Sequence, residues 1–205
     1  MSKRGTRVLA ACSVLMLLVG CASTKLISGW RDPNYSGQPF RKILVIGVTK
    51  QSAARRILED EFVRQLSARN TQAVQSYQLI TEDGEVPKER LAQAVQEAGA
   101  DAQLVSRLLK VERETQVYPG SYMGPPYFGY YGFYGYYSSA WMGFYDPPYV
   151  YTYDVVTWEV SLFDARTDRL VWAGTTETFS PREFAKEAAE FAKVIVQEVA
   201  DKKLI

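Results

Sequence analysis

Residues 41–68 read RKILVIGVTKQSAARRILEDEFVRQLSA, and a change of period inside this stretch decides the fold. Ile43-Leu44-Val45-Ile46 is a continuous apolar run of strand length, which predicts a strand covered on both faces. From Ser52 to Ala68 the period becomes helical: Ala54, Leu58, Phe62 and Leu66 recur every four residues, with Arg55, Arg56, Glu59, Asp60 and Arg64 around the other side. A doubly covered strand followed at once by a one-sided helix calls for a sheet with helices packed on it. The joining loop, Gly47 to Ser52, lacks the spacing of a phosphate loop and reads as an ordinary capped turn. Glu59, Asp60 and Glu61 are consecutive, so they point in different directions. They predict a solvated face paired with Arg55, Arg56 and Arg64, not an acid and base acting together.

Toward the C-terminus, Asn70 suits a left-handed helix cap. Thr71 to Leu79 reads as a second strand, Asp83-Gly84 as a turn, and Pro87 as the start of a helix striped by Leu91, Ala94, Val95 and Ala98 and stopped by Gly99. Asp101 to Val117 predicts a long strand whose last part, Glu112-Arg113-Glu114, is solvated. Tyr149 to Phe163 alternates, with Val156, Trp158, Val160 and Leu162 on one face. Asp164 to Arg169 is a polar hairpin turn in which Asp164 and Asp168 serve turn chemistry, and Leu170 to Phe179 returns. Trp158 and Trp172 fall on the two arms as packing residues. A last helix from about Pro181 carries Phe184, Ala188, Phe191, Ile195 and Val199. The expected fold class is α+β, a mixed sheet with helices packed on it in the order β-α-β-α-β-β-β-α, forming one domain over residues 41–205.

On the N-terminal side, Lys3, Arg4 and Arg7 precede an uncharged apolar run from Val8 to Val19, the layout of a secretory signal peptide. The run is shorter than the roughly 20 apolar residues that span a bilayer. Leu18-Val19-Gly20-Cys21 resembles the lipobox of bacterial lipoproteins. The resemblance implies that residues 1–20 are removed, that Cys21 becomes the first residue and carries the acyl chains, and that these chains hold the protein on its membrane. Ala22 is not the Asp that retains such lipoproteins in an inner membrane, which points to the outer membrane, facing the periplasm. Residues 21–40, with Gly29, Gly37, Pro33 and Pro39, read as a lipidated N-terminus and extended tether. Trp30 reads either as docked on the domain or as an interfacial aromatic near the bilayer.

The stretches WRDPNYSGQPFRKILVIGV, RRILEDEFVRQLSARNTQAVQSY, GADAQLVSRLLKVERETQVYPG and SLFDARTDRLVWAG resemble an uncharacterised family of Gram-negative envelope lipoproteins of unknown function. That resemblance implies Gram-negative origin and supplies no activity. The order of elements is also similar to the periplasmic domains of the curli secretion-channel lipoprotein and of lipoproteins that activate penicillin-binding proteins, a likeness of topology that carries no residue over.

Composition narrows function. The chain has no histidine, which excludes Ser-His-Asp and Cys-His catalysis and His-containing metal sites. No cofactor, metal site or small-molecule substrate is indicated. Loss of Lys3, Arg4 and Arg7 with the signal leaves 21 basic residues against 23 acidic ones, no surface for nucleic acid. Cys12 would leave with the signal, and Cys21 would carry lipid, so the exported domain has no disulfide.

The abnormal segment is the insert at 118–153. It holds 12 of the 14 tyrosines, and Asp146 is its only charge. Three readings fit it: a flexible loop, given its Gly and Pro; a surface for an envelope protein partner or self-association, given the low rotamer cost of Tyr and Trp; or contact with membrane or cell-wall glycan. The sequence is read as a non-enzymatic binding or assembly component using this insert, with Tyr127, Tyr130, Tyr131, Phe133, Tyr134, Tyr136, Tyr137, Trp141 and Phe144 as the expected partner-binding residues. The alternatives are a passive lipoprotein in which the insert is a spacer, and a carboxylate-based envelope hydrolase.

Overall fold

The computed structural model describes residues 23–82, 84–112, 132–142, 155–179 and 183–205. The strands are β1 (Ser23–Arg31), β2 (Lys42–Val48), β3 (Gln72–Gln75), β4 (Ala102–Glu112), β5 (Val155–Asp164) and β6 (Arg169–Phe179). The helices among the described residues are α1 (Ser52–Ser67), α2 (Lys88–Ala98), α3 (Phe133–Met142) and α4 (Phe184–Asp201). One six-stranded sheet runs in the order β1-β6-β5-β4-β2-β3. β2 is parallel to β3 and β4, and the remaining pairs are antiparallel. The fold is the expected α+β class with a mixed sheet and helices packed on it.

Alternation along β2 divides the core. Ile43 and Val45 face one side, where Leu58, Phe62 and Leu66 of α1 meet Phe191, Ile195 and Val199 of α4. Leu44, Ile46 and Val48 face the other, against Leu91, Ala94, Val95 and Ala98 of α2. The continuous apolar run therefore reflects helices on both faces, as a buried parallel strand requires. On the first face, the Phe62 and Phe191 rings meet edge to face at 5.3 Å, and Trp158 stacks on Phe191 at 5.2 Å. Burying each such ring contributes about 1.5–3 kcal/mol.

Three elements depart from the sequence reading. The second strand ends at Gln75, because Ser76 to Gln78 turn out of the sheet as a 3-10 helix. The Ser76 hydroxyl and the Tyr77 amide both donate to the Glu59 carboxylate, at 2.7 and 3.0 Å, and this pulls the chain away from its ladder. Residues 23–31, expected to be tether, form edge strand β1 on β6, with the Thr24 and Thr178 hydroxyls bonded at 2.9 Å and Leu26 packed on the core. Gly29 obscured a run otherwise rich in strand-forming Thr24, Leu26, Ile27 and Trp30. The strand stops at Asp32, whose carboxylate accepts from the Asn34 amide at 2.8 Å ahead of the polar residues that follow. Inside the insert, residues 133–142 form helix α3, so this part of the segment is not a loop.

Candidate functional site

The chain passes from β2 through α1 to β3 on one side, then through α2 to β4 on the other. With right-handed crossovers this reversal puts the two helices on opposite faces. It also leaves a switch point at the carboxyl ends of β2 and β4, the place where open α/β sheets hold ligands. Here α3 fills it. Phe133, Tyr136, Tyr137 and Ala140 are buried against Ile46, Val48, Val105 and Phe163. Tyr137 and Trp141 close over Ile46, Gly47 and Thr49, leaving a space of about 10 Å³. That is room for one water at most.

Close approach sets the position of α3. The Phe133 amide donates to the Asp168 carbonyl at 3.2 Å, and a Cβ on Gly132 would lie 2.6 Å from that same oxygen, so only glycine lets the helix start dock on the β5–β6 turn. The Tyr137 hydroxyl accepts from the Val86 amide at 3.4 Å. Lys88 lies over the Tyr134 ring at 4.6 Å.

Two buried ion pairs flank the filled crevice. Arg107 of β4 and Glu159 of β5 are register partners, with guanidinium nitrogens 3.1 and 3.3 Å from the two carboxylate oxygens. The Tyr136 hydroxyl donates to the same carboxylate. Burial, then the Glu159 charge, pushes the Tyr136 phenol well above its usual 10, so it stays a donor. In the second pair Arg55 Nε donates to Glu59 Oε1 at 3.1 Å, and the Gly47 amide donates to the same oxygen at 2.9 Å. Arg55 also reaches the carbonyls of Ile80 and Glu82, both at 3.1 Å. Glu59 is 0% exposed, which corrects the expectation of a solvated acidic face. Its pKa is raised by desolvation, against the lowering effects of Arg55 and the bonds from Gly47, Ser76 and Tyr77. Asp60 and Glu61 do lie outward: Asp60 accepts from Tyr77 at 2.7 Å, and Glu61 from Arg64 at 2.8 Å. Each buried glutamate thus faces an arginine, the arrangement of a structural pair and not of an acid–base couple.

The expected partner-binding residues divide three ways. Phe133, Tyr136 and Tyr137 are core residues, which corrects their assignment to a surface. Tyr134 and Trp141 are half-buried. Tyr127, Tyr130, Tyr131, Phe144 and the lipidation residue Cys21 lie outside the described residues. Missing from the expected set are Ile27 and Trp30, 50% and 37% exposed, the large apolar side chains most open to solvent among the described residues. Both stand on β1, an edge strand of the sheet among the described residues. A groove of about 590 Å³ runs beside that strand between α1 and α4, floored by Leu26 and walled by Arg69, Lys193 and Glu198. Among the described residues, no group of three His, Cys, Asp or Glu side chains is placed to hold a metal, and no helix is long and apolar enough to cross a membrane.

Among the solved structures similar to the chain are two PelC dodecamers from Paraburkholderia phytofirmans, one of them a single-substitution variant. Each is 14% identical and covers 85% of this chain and 96% of the other; the TM-scores are 0.45 and 0.44. A search of curated proteins gives no match. The model of a domain of unknown function, DUF4136, matches residues 56–201, from α1 to the end of α4. The chain therefore belongs to the DUF4136 family.

Proposed function

We propose that this protein is a lipid-anchored envelope component, held by acyl chains on Cys21 at the outer membrane and facing the periplasm, which acts by binding and not by chemistry. The filled switch point carries this reading. The sheet order creates a ligand crevice, and the chain's own aromatic helix occupies it, down to about 10 Å³. A domain built this way offers no room at the switch point of its sheet, so its outer surface, with the groove beside β1, is what meets a partner. The partner surface we favour is the β1 edge with Ile27 and Trp30; Tyr127, Tyr130, Tyr131 and Phe144 of the insert are partner residues on composition alone. An open edge strand offers unpaired backbone groups to an envelope protein or to a second copy of this chain.

Photocrosslinking in intact cells tests the proposal, with the reactive residue at Trp30 or Tyr131 and a control at exposed Lys202. One recurring adduct at both test positions, lost when Cys21→Ala releases the protein from the membrane fraction, is the expected result. Capture no greater than at Lys202 would sink the binding reading.

A further inference from the structure

The sheet register fixes which strand ends share a tip with the start of β1. Ser23 pairs with Phe179, Phe179 with Val155, and Val155 with Glu112. The first residue of β1, the last of β6, the first of β5 and the last of β4 therefore form one tip. β2 stops short of it, since its last residue, Val48, pairs with Arg107, five positions before Glu112. At the other end, Ala102 pairs with Asp164 and Asp164 with Arg169. Ten residues of β4 separate the two ends, about 34 Å at strand rise.

We propose that this tip, formed by the ends of β1, β4, β5 and β6, rests on the bilayer that holds the acyl chains, with the β5–β6 turn pointing away from it. The inference rests on Cys21 being the acylated residue, as in the proposed function. Cys21 stands two residues before Ser23, so it lies within about 7 Å of the strand whatever path the chain takes. Neighbouring strands are about 4.8 Å apart, so Glu112 is only some 14 Å across the sheet from Ser23. A leash this short leaves no room for the free spacer that residues 21–40 suggested.

What is rooted at the tip agrees with that placement. The chain leaves the sheet at Glu112 and returns at Val155, and the stretches 118–131 and 143–153 that lead to and from α3 carry nine tyrosines and one charge. Tyrosine-rich, nearly uncharged sequence partitions to the headgroup zone of a bilayer. The far end is different in kind: Arg166 and Thr167 are exposed, and the turn between them and Asp164 is polar. The two tyrosine-rich connections to α3 thus begin and end at the anchored tip, while α3 itself reaches the β5–β6 turn.

The test uses the full chain, processed in cells and reconstituted in phosphatidylethanolamine–phosphatidylglycerol vesicles. With Cys12 removed and Cys21 acylated, an introduced cysteine is the sole thiol. A bimane probe is placed at Glu112→Cys or at Arg166→Cys, with Lys110→Cys and Thr167→Cys as a second pair, and the vesicles carry a headgroup nitroxide. Quenching several-fold stronger at Glu112 and Lys110 than at Arg166 and Thr167 is expected. Equal quenching at both ends, or stronger quenching at the turn, in protein that floats with the vesicles overturns the orientation and leaves the anchor standing. Protein that lacks the acyl mass and fails to float overturns the anchor, and the orientation with it.

Discussion

Tyr136→Phe removes one hydroxyl from the interior and leaves the ring that fills the switch point. The hydroxyl donates to Glu159, a carboxylate that keeps its two bonds from Arg107 at 3.1 and 3.3 Å. A hydrogen bond to a charged group is worth about 1.5–3 kcal/mol, and the surviving arginine places the loss near the low end, about 1.5–2 kcal/mol. For a domain of this size that is a fall in Tm of roughly 3–8 °C. Tyr136→Ala also empties the ring's volume and should cost about 3–5 kcal/mol. Urea unfolding followed by tryptophan fluorescence measures both. Above the ordinary tyrosine pKa of about 10 the unfolded chain ionises while folded Tyr136 does not, so its contribution is intact below that pH and is lost as the pH rises toward the folded value. Tyr136→Phe should therefore flatten the alkaline decline in stability, though Tyr134 and Tyr137, also raised by burial, will leave part of it. Phe and Ala variants both within about 0.5 kcal/mol of the parent, as for a surface residue, would refute the picture of α3 as a buried plug.

Arg107→Met alone should cost about 3–5 kcal/mol, because it strands the Glu159 charge, and adding Glu159→Leu should recover much of that loss; a urea double-mutant cycle reads the coupling. Gly174→Ala should cost about 1–3 kcal/mol and change the near-UV circular dichroism, because the new Cβ would lie 2.5 Å from the Trp172 indole.

The strand-then-helix grammar was legible because burial on both faces of β2 and one face of α1 writes two distinct periods into the residues. The same holds for α2, capped by left-handed Gly99, and for the β5–β6 turn, where the Asp164 carboxylate accepts from the Arg166 amide at 2.8 Å. What escaped was set by tertiary partners. Arg55 and Glu59 look like a surface i,i+4 pair until Gly47, Ser76 and Ile80 close around them; only their position beside buried Leu58 hinted otherwise. Glu159 sits opposite the stripe of Trp158 and Val160, on the face that α3 covers, and local alternation carries no signal of that cover. The α3 stripe of Phe133, Tyr136, Tyr137 and Ala140 has helical spacing, but so many neighbours are aromatic that the pattern has little contrast, and Gly132 and Gly135 argued against a helix. β1 was missed because its partner, β6, lies about 150 residues away and no local signal reports such a pairing.

That separation has a kinetic side. Ser23 meets Phe179 only after the intervening chain is in place, and β1, an edge strand, has β6 as its one neighbour in the sheet. Closing so long a loop is entropically unfavourable until the rest of the sheet is assembled, so the strand that emerges first is the last to be zipped in. During that interval residues 23–31 lack their partner strand and are open to proteolysis or to pairing with another chain. Once β6 captures them, that exposure ends along the whole length of the strand.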